Sequence, residues 1–379
     1  MILHLVHDDK VVPRMISQFE EVCPGKSIYL CVSDITNKSD LKFLNNNDHI
    51  ILSQSKELSK IPWKSIDKVC FHFLSFKKIR CYWKLCIKYS LKHTTNIWFF
   101  WGADIYDILG RRGFRLYSDN NSFYKAKGAA HVNKSIKASI DLFLEKLRYS
   151  LSYYSRCFFL DKKIDFVVCN SEDEFELFCK YVRFSRCKGR LNYQYYPVED
   201  TLGELMDLKL HGNSIIIGNS ANPTNNHEYI LQLLEGVSYG ERKVYVPLNY
   251  SRLADYVRVI EDKYSTLPGV VILNDFMPLD DYHRLLADCS TFIYGHFRAE
   301  AWGNIMVALY LGGKVYVSKH SILPAYLNSL GCKFFTTEDL GTTFQEELSE
   351  EEMNRNRRIV MKNFSKEVNR EYIKYICSL

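Results

Sequence analysis

Short apolar runs bounded by polar turns recur through the first half of the chain. Residues 1–6 read as a buried strand that ends at a polar loop, His7 to Lys10. The segments 27–32, 69–74, 96–100 and 165–169 have the same character, with helical stretches between several of them. Apolar runs without alternation, separated by helices, predict a parallel sheet covered on both faces.

The pattern breaks at 192–213, which is Tyr-rich, carries Pro197 and acidic residues, and ends in His211-Gly212-Asn213. Such text predicts a linker. A second alternation follows. Strands are expected at 214–217, 243–246, 270–273, 291–294 and 314–317, with helices at 226–236, 251–263, 279–287 and 300–311. This half reads as doubly wound. A charged segment near 349–376, with Ile359, Val360 and Phe364, predicts one helix that crosses back to the first lobe. The expectation is an α/β chain of two Rossmann-like, doubly wound domains facing a cleft. Their ranges are 1–200 and 201–350, with a returning helix at 351–379.

A length of 379 residues suits two domains. The composition, 47% hydrophobic and 25% charged, is that of a folded globular chain. A net charge of +6 is too weak to suggest nucleic acid, but it favours anionic ligands or an anionic membrane face. The 12 cysteines include no C-x-x-C and no metal-ligand spacing, so reduced thiols are expected. The start of the chain lacks the basic n-region and long apolar stretch of a signal peptide. No apolar run reaches the roughly 18 residues of a spanning helix.

Four stretches carry candidate chemistry. The loop Gly218-Asn219-Ser220-Ala221-Asn222-Pro223-Thr224-Asn225-Asn226-His227-Glu228 joins a strand to a helix. Asn225 and Glu228 form an N-x-x-E pair similar to a capping box. A helix start of this kind suits a diphosphate, through free N–H groups and the positive dipole end. It is also what an ordinary well-capped turn looks like. The second loop, Tyr294 to Asn304, again joins a strand to a helix. Here Arg298 can neutralise phosphate, and Glu300 and Asn304, at i and i+4, can share a helix face toward sugar hydroxyls.

The third stretch is Trp98-Phe99-Phe100-Trp101-Gly102-Ala103-Asp104. Trp101 can stack on a sugar ring, and Asp104 can serve as a base on an acceptor hydroxyl; a helix-capping Asp fits equally. His7, closing the first strand, is the second candidate base. His72, also on the acceptor side, lies inside an apolar strand where a packed core histidine is the common outcome. The fourth stretch places Lys77, Arg80, Lys84, Lys88 and Lys92 largely four apart, with no acidic residue between Asp67 and Asp104. It reads either as a basic membrane-facing stripe or as a solvated helix face. No Asp-x-Asp occurs, so no metal cofactor is expected. Helix dipoles and Arg would then meet the leaving diphosphate.

Four motifs together resemble one family. They are Trp101-Gly102-Ala103-Asp104-Ile105-Tyr106; Gly218-Asn219-Ser220 with Asn226-His227-Glu228; Val246-Pro247-Leu248-Asn249-Tyr250; and Phe297-Arg298 with Gly303. In order and spacing they are similar to the TDP-N-acetylfucosamine:lipid II N-acetylfucosaminyltransferases of enterobacterial common antigen synthesis. The resemblance implies a GT-B fold and a TDP-linked sugar donor; from the loops at Gly218 and Arg298 alone, a TDP- or UDP-linked sugar is expected. It also implies an undecaprenyl-diphosphate-linked saccharide acceptor at the cytoplasmic face of the inner membrane. It assigns Gly218, Asn219, Ser220, Asn226, His227, Tyr250 and Arg298 to the donor, and Trp101 and Asp104 to the acceptor side.

The chain departs from that family at His7-Asp8-Asp9, where a Gly-containing turn is usual, and at Ala299 to Asn304. A related O-antigen or capsule transferase therefore stays open. The Glu pair of many retaining GT-B enzymes is missing, since Ala308 stands eight residues after Glu300; inversion is expected. A nucleotide-sugar 2-epimerase of the same fold and a non-catalytic sugar-binding partner are the competing classes. The first needs extra cleft carboxylates, and the second needs neither Asp104 nor Arg298.

Overall fold

The computed structural model describes residues 1–91, 93–123, 136–249, 253–275 and 277–379, with the backbone alone for 136–143. The chain divides into two compact units. The first comprises Met1–Phe114, Asn133–Tyr195 and Asn369–Leu379, and the second Arg115–Val132 and Tyr196–Val368.

The first unit is built on a parallel sheet. Its strands are β1 (Ile2–Val6), β2 (Ser27–Cys31), β3 (Ile50–Leu52), β4 (Lys68–His72), β5 (Thr95–Phe99), β6 (Phe166–Val168) and β7 (Arg190–Leu191), in the order β3-β2-β1-β4-β5-β6-β7. All five residues of β1 and all five of β4 are buried, as a sheet covered on both faces requires. The covering helices are α1 (Val12–Val22), α2 (Phe76–Tyr89), α3 (Ala103–Arg111), α4 (Ile136–Lys163) and α5 (Glu172–Tyr181).

The second unit begins its sheet after a short helix, α6 (Val198–Leu202). Strands β8 (Ser214–Ile217), β9 (Val244–Pro247), β10 (Val270–Leu273), β11 (Cys289–Tyr294), β12 (Lys314–Val317) and β13 (Phe335–Thr336) take the order β10-β9-β8-β11-β12-β13, again parallel. Helices α7 (His227–Leu234), α8 (Ala254–Tyr264), α9 (Leu279–Ala287), α10 (Trp302–Leu311) and α11 (Leu323–Leu330) alternate with them. The chain closes with α12 (Leu340–Thr343), α13 (Glu350–Phe364) and α14 (Lys366–Ser378).

Three features differ from the sequence expectation. The division falls between Tyr195 and Tyr196, because Val198 and Leu202 of the expected linker are buried in the second unit's core. The first 200 residues are not one uninterrupted block: 115–132 belong to the second unit. The single C-terminal helix is two, since Ser365 adopts an extended backbone (ψ 161°) between them. Val360 and Phe364 of α13 enter the second unit's core, whereas Ile373 and Ile376 of α14 enter the first's.

Candidate functional site

Each sheet reverses its winding beside a central strand. The reversal lies between β1 and β4 in the first unit and between β8 and β11 in the second. Loops leaving the carboxyl ends of two such strands diverge, and a crevice opens between them.

In the second unit these are the loops after β8 and β11. Gly218 closes β8 with φ +70°, and a Cβ there would lie 2.6 Å from Asn225 Oδ1. A Cβ on Gly295, after β11, would lie 2.7 Å from the Asn225 carbonyl oxygen. Only glycine permits either approach. Asn225 then knots the first loop: its Oδ1 accepts from the Asn219 N–H (3.0 Å), and its amide donates to Ser220 Oγ and the Asn222 carbonyl (3.1 Å each).

Two sequence assignments are corrected here. The Asn225–Glu228 capping box does not form, because Glu228 accepts from the Ser122 N–H at 2.6 Å and pairs with Lys263. Asn226 is fully buried with φ +50°, and its side chain joins the Ser118 N–H (3.0 Å) to the Gly295 carbonyl (3.1 Å). It holds loops together and presents nothing to a ligand.

Several polar atoms of this crevice have no hydrogen-bond partner among the described residues. They are Asn219 Oδ1, His227 Nε2 and both ring nitrogens of His296; the Trp302 indole N–H also lacks a partner, but its ring packs against Tyr326 and Phe364. A buried polar atom left unsatisfied costs about 1–3 kcal/mol. Such atoms on these two loops leave hydrogen-bonding capacity open to a ligand. Burial also keeps both histidines neutral: it lowers His227 to about 3, and His296 to about 4 against the opposing pull of Glu300.

Arg298 and Glu300 occupy the same loop. The Arg298 Nε–H donates to Glu300 Oε2 at 2.7 Å, and the Thr224 hydroxyl donates to that oxygen at 2.6 Å. Burial opposes ionisation of Glu300, but Arg298, His296 and Thr224 outweigh it and hold the carboxyl at about 2. Glu300 precedes α10, so it does not share a helix face with Asn304, which lies half-buried in the first turn. Ala301 starts α10 with φ +59° and no capping side chain, leaving the first N–H groups for an anion. Tyr250 lies outside the described residues.

In the first unit, His7 follows β1, the turn 73–75 follows β4, and Trp101 follows β5. The His7 ring sits 4.7 Å from that of Trp101 and 5.5 Å from that of Phe73. Its Nδ1 is 2.9 Å from Lys78 Nζ. Lys78 is 1% exposed and also bonds the carbonyl oxygens of His72 and Phe73.

Asp104 is corrected as a candidate base. It is 1% exposed; Oδ2 accepts from the Leu74 N–H and the Trp98 indole (2.8 Å each), and Oδ1 from the Trp101 N–H at 3.0 Å. It ties the β4 and β5 turns together from inside. His72 is corrected as an acceptor contact. It is fully buried, with Nε2 2.9 Å from His4 Nδ1 and Nδ1 2.7 Å from the Tyr195 hydroxyl. Tyr195 in turn accepts the Trp101 indole N–H at 2.6 Å. The His72 ring is thus linked to Trp101 through the Tyr195 hydroxyl.

Lys77, Arg80, Lys84 and Lys88 are exposed on one face of α2, and Ile87 among them is 85% exposed. The expected lack of counter-charge fails at one position, because Asp34 pairs with Lys77. Lys92 lies outside the described residues. No helix among the described residues is long and apolar enough to cross a membrane, and no group of three or more His, Cys, Asp or Glu among them is placed to hold a metal ion.

The sequence reading missed Lys78, His296 and Tyr195. Lys78 was hidden beside Lys77, although helical phase turns adjacent residues to different faces. His296 lies in the loop from Tyr294 to Asn304, but Arg298 and Glu300 drew the roles there.

No sequence-family model matches the chain, and no curated protein matches it in sequence. Solved structures do resemble it. HepE of Anabaena in complex with UDP aligns over 100% of both chains at 13% identity, with a TM-score of 0.61. Sucrose-phosphate synthase of Thermosynechococcus elongatus aligns over 99% of this chain and 97% of its own, at 11% identity and a TM-score of 0.62. A glycosyltransferase of Rickettsia africae aligns over 100% and 97%, at 10% identity and 0.60. The chain has the two-domain, Rossmann-like GT-B fold.

Proposed function

We propose that this chain is an inverting glycosyltransferase whose donor is a nucleoside diphosphate sugar. The observation that carries the proposal is the second unit's crevice, with its uncapped helix start, its Arg298–Glu300 pair and its unsatisfied polar atoms. The diphosphate lies at the α10 N-terminus, where N–H dipoles and Arg298 stabilise the charge that grows on the leaving group. Asn219, Ser220, His227 and His296 contact the sugar or the nucleoside. The Anabaena protein bound to UDP supports this ligand class.

The acceptor hydroxyl is held at the carboxyl edge of the first unit's sheet, against Trp101. His7 takes its proton. Asp104 is buried and already accepts three hydrogen bonds, and Asp8 is committed to the N–H groups of Phe43 (2.9 Å) and Leu44 (3.1 Å). The acceptor oxygen attacks C1, the bond from C1 to the diphosphate oxygen breaks, and inversion follows from attack opposite the leaving group. No metal is required in this scheme.

The finer reading rests on the resemblance of the motifs. The sugar is N-acetylfucosamine-like and TDP-linked, and the acceptor is an undecaprenyl-diphosphate-linked saccharide of a bacterial surface polysaccharide. The enzyme works as a peripheral protein on the cytoplasmic face of the inner membrane. The exposed basic face of α2 supports an anionic surface as partner. So does an apolar stripe on α4: Leu144, Leu147, Leu151, Tyr154 and Phe158 are 41–68% exposed and recur every three to four residues. Thermal shift with TDP-, UDP- and GDP-sugars tests the donor class. A bound ligand at 100 times its Kd raises stability by about 2.7 kcal/mol. No shift with any of them overturns the transferase reading.

A further inference from the structure

We infer that Lys78 is the positioning partner of His7: it sets which ring nitrogen carries the proton and receives the proton that His7 takes from the acceptor. This rests on the reading of His7 as the base. The geometry supplies three acceptors around one ammonium. Lys78 Nζ faces the His72 carbonyl, the Phe73 carbonyl at 3.1 Å and His7 Nδ1 at 2.9 Å. Phe73 takes up φ +64°, a strained value for a non-glycine residue, in the turn that offers the two successive carbonyls.

The two protonation states of Lys78 have different consequences for His7. As an ammonium, Lys78 donates all three hydrogens, and the third forces Nδ1 to be an acceptor. The ring proton then sits on Nε2, and His7 cannot accept a proton from substrate. As a neutral amine, Lys78 still satisfies both carbonyls with its two hydrogens. Its lone pair then faces His7, Nδ1 carries the hydrogen, and Nε2 is an open base. When the acceptor hydroxyl gives its proton to Nε2, the Nδ1 proton passes to Nζ. His7 ends neutral, and the charge rests between two carbonyl oxygens. After product leaves, Nε2–H goes to water and Nζ returns its proton to Nδ1.

The surroundings suit this exchange. The charged and titratable groups that face Lys78 are His7 and Asp9 after β1, Cys31 at the end of β2, His72 at the end of β4 and Asp104 on α3. Burial lowers Lys78 to about 7, partly offset by Asp104, Cys31 and Asp9. Burial, with Lys78 beside it, lowers His7 to about 3. A proton reaching the pair therefore rests on the lysine. The Lys78 amine is available above about 7, so activity rises with pH through that value.

The test follows His7 by nitrogen NMR in the intact protein from about pH 5.5 to about pH 9. We expect the proton to move from Nε2 to Nδ1 as Lys78 titrates, with kcat following the same midpoint. Lys78→Arg, a cation that never deprotonates, should freeze the Nε2–H form at every pH and lower kcat by about 10²–10⁴. Lys78→Met should remove the midpoint from both profiles. A wild-type His7 that keeps one tautomer across this range overturns the inference whether or not either variant folds, as does Lys78→Arg with a wild-type pH profile. If His7→Gln instead keeps normal kcat, the base reading itself fails.

Discussion

The Trp101 indole N–H donates to the Tyr195 phenol oxygen at 2.6 Å, and that phenol reaches His72 Nδ1 at 2.7 Å. One hydroxyl thus couples a half-buried ring at the sheet edge to the core. Tyr195→Phe removes the tie while keeping the ring. Loss of one such hydrogen bond costs about 0.5–1.5 kcal/mol. The expected outcome is a higher KM for the saccharide acceptor and a shifted Trp emission, with nucleotide affinity unchanged. Unchanged acceptor KM would mean that Trp101 does not contact the acceptor.

The same chain runs inward to His4, whose Nε2 is 3.2 Å from Ser27 Oγ. Burial lowers His4 to about 3, and His72, with His4, Lys78 and His7 adding to burial, well below its ordinary value. Below about 6.5 the unfolded chain protonates both residues and the folded chain does not, so the unfolded state binds more protons. Stability is fully present above about 6.5 and falls on acidification, by about 1.4 kcal/mol per pH unit for each histidine. Four of the five Trp residues lie in the first unit, so urea unfolding followed by Trp fluorescence at several pH values measures it. A flat profile between about pH 5 and about pH 6.5 would contradict the buried neutral pair.

Asp104→Asn separates structural from chemical roles. An amide keeps one acceptor oxygen, where the carboxylate serves three donors. At least one buried N–H then loses its partner, at about 1–3 kcal/mol. A lowered melting temperature with kcat reduced much less than in His7→Gln is expected. A stable variant with kcat reduced as far as in His7→Gln would restore Asp104 as the base.

Asp104 also marks the limit of the sequence. Buried parallel strands read as unbroken apolar runs, so β1, β2, β4 to β6 and β8 to β12 were legible. The missed strands β3, β7 and β13 have only two or three residues each; β6 is as short as β3, but its apolar run continues into Cys169. Both crevice loops were legible because glycine, Asn and Arg cluster after apolar strands. The direction of each side chain was not. Asp104 and Asn226 stand where ligands bind by topology, yet they turn inward to satisfy backbone N–H groups, whose positions depend on distant segments. The excursion at 115–123 that bonds Asn226 has no local signal at all.

The exposed face of α2 predicts salt-dependent binding to anionic vesicles. Each of Lys77, Arg80, Lys84 and Lys88 contributes roughly 1 kcal/mol near such a surface. Replacing all four with Glu should abolish pelleting with phosphatidylglycerol vesicles at low salt and leave the melting temperature nearly unchanged. Persistent pelleting would shift the contact to the α4 stripe, which Leu147→Ser with Tyr154→Ser then probes.

Donor binding rests on Arg298 and Glu300 as a pair. Arg298 supplies charge to the diphosphate, while Glu300 holds the guanidinium through Nε. Arg298→Ala should weaken nucleoside diphosphate binding by about 1.5–3 kcal/mol, the range for a hydrogen bond to a charged group. Glu300→Gln is neutral but keeps an acceptor oxygen, so it should weaken binding less. The double variant should lose little more than Arg298→Ala alone, because the carboxylate acts through the arginine. Calorimetry with UDP and TDP on the three variants measures the coupling. Additive losses would mean that Glu300 contacts the ligand itself, as a sugar hydroxyl acceptor. In wild type the same titration run with EDTA should give the same affinity, and turnover should persist. Activity lost with EDTA and restored by Mg²⁺ or Mn²⁺ would replace Arg298 and the α10 N-terminus as the chief stabilisers of the leaving diphosphate.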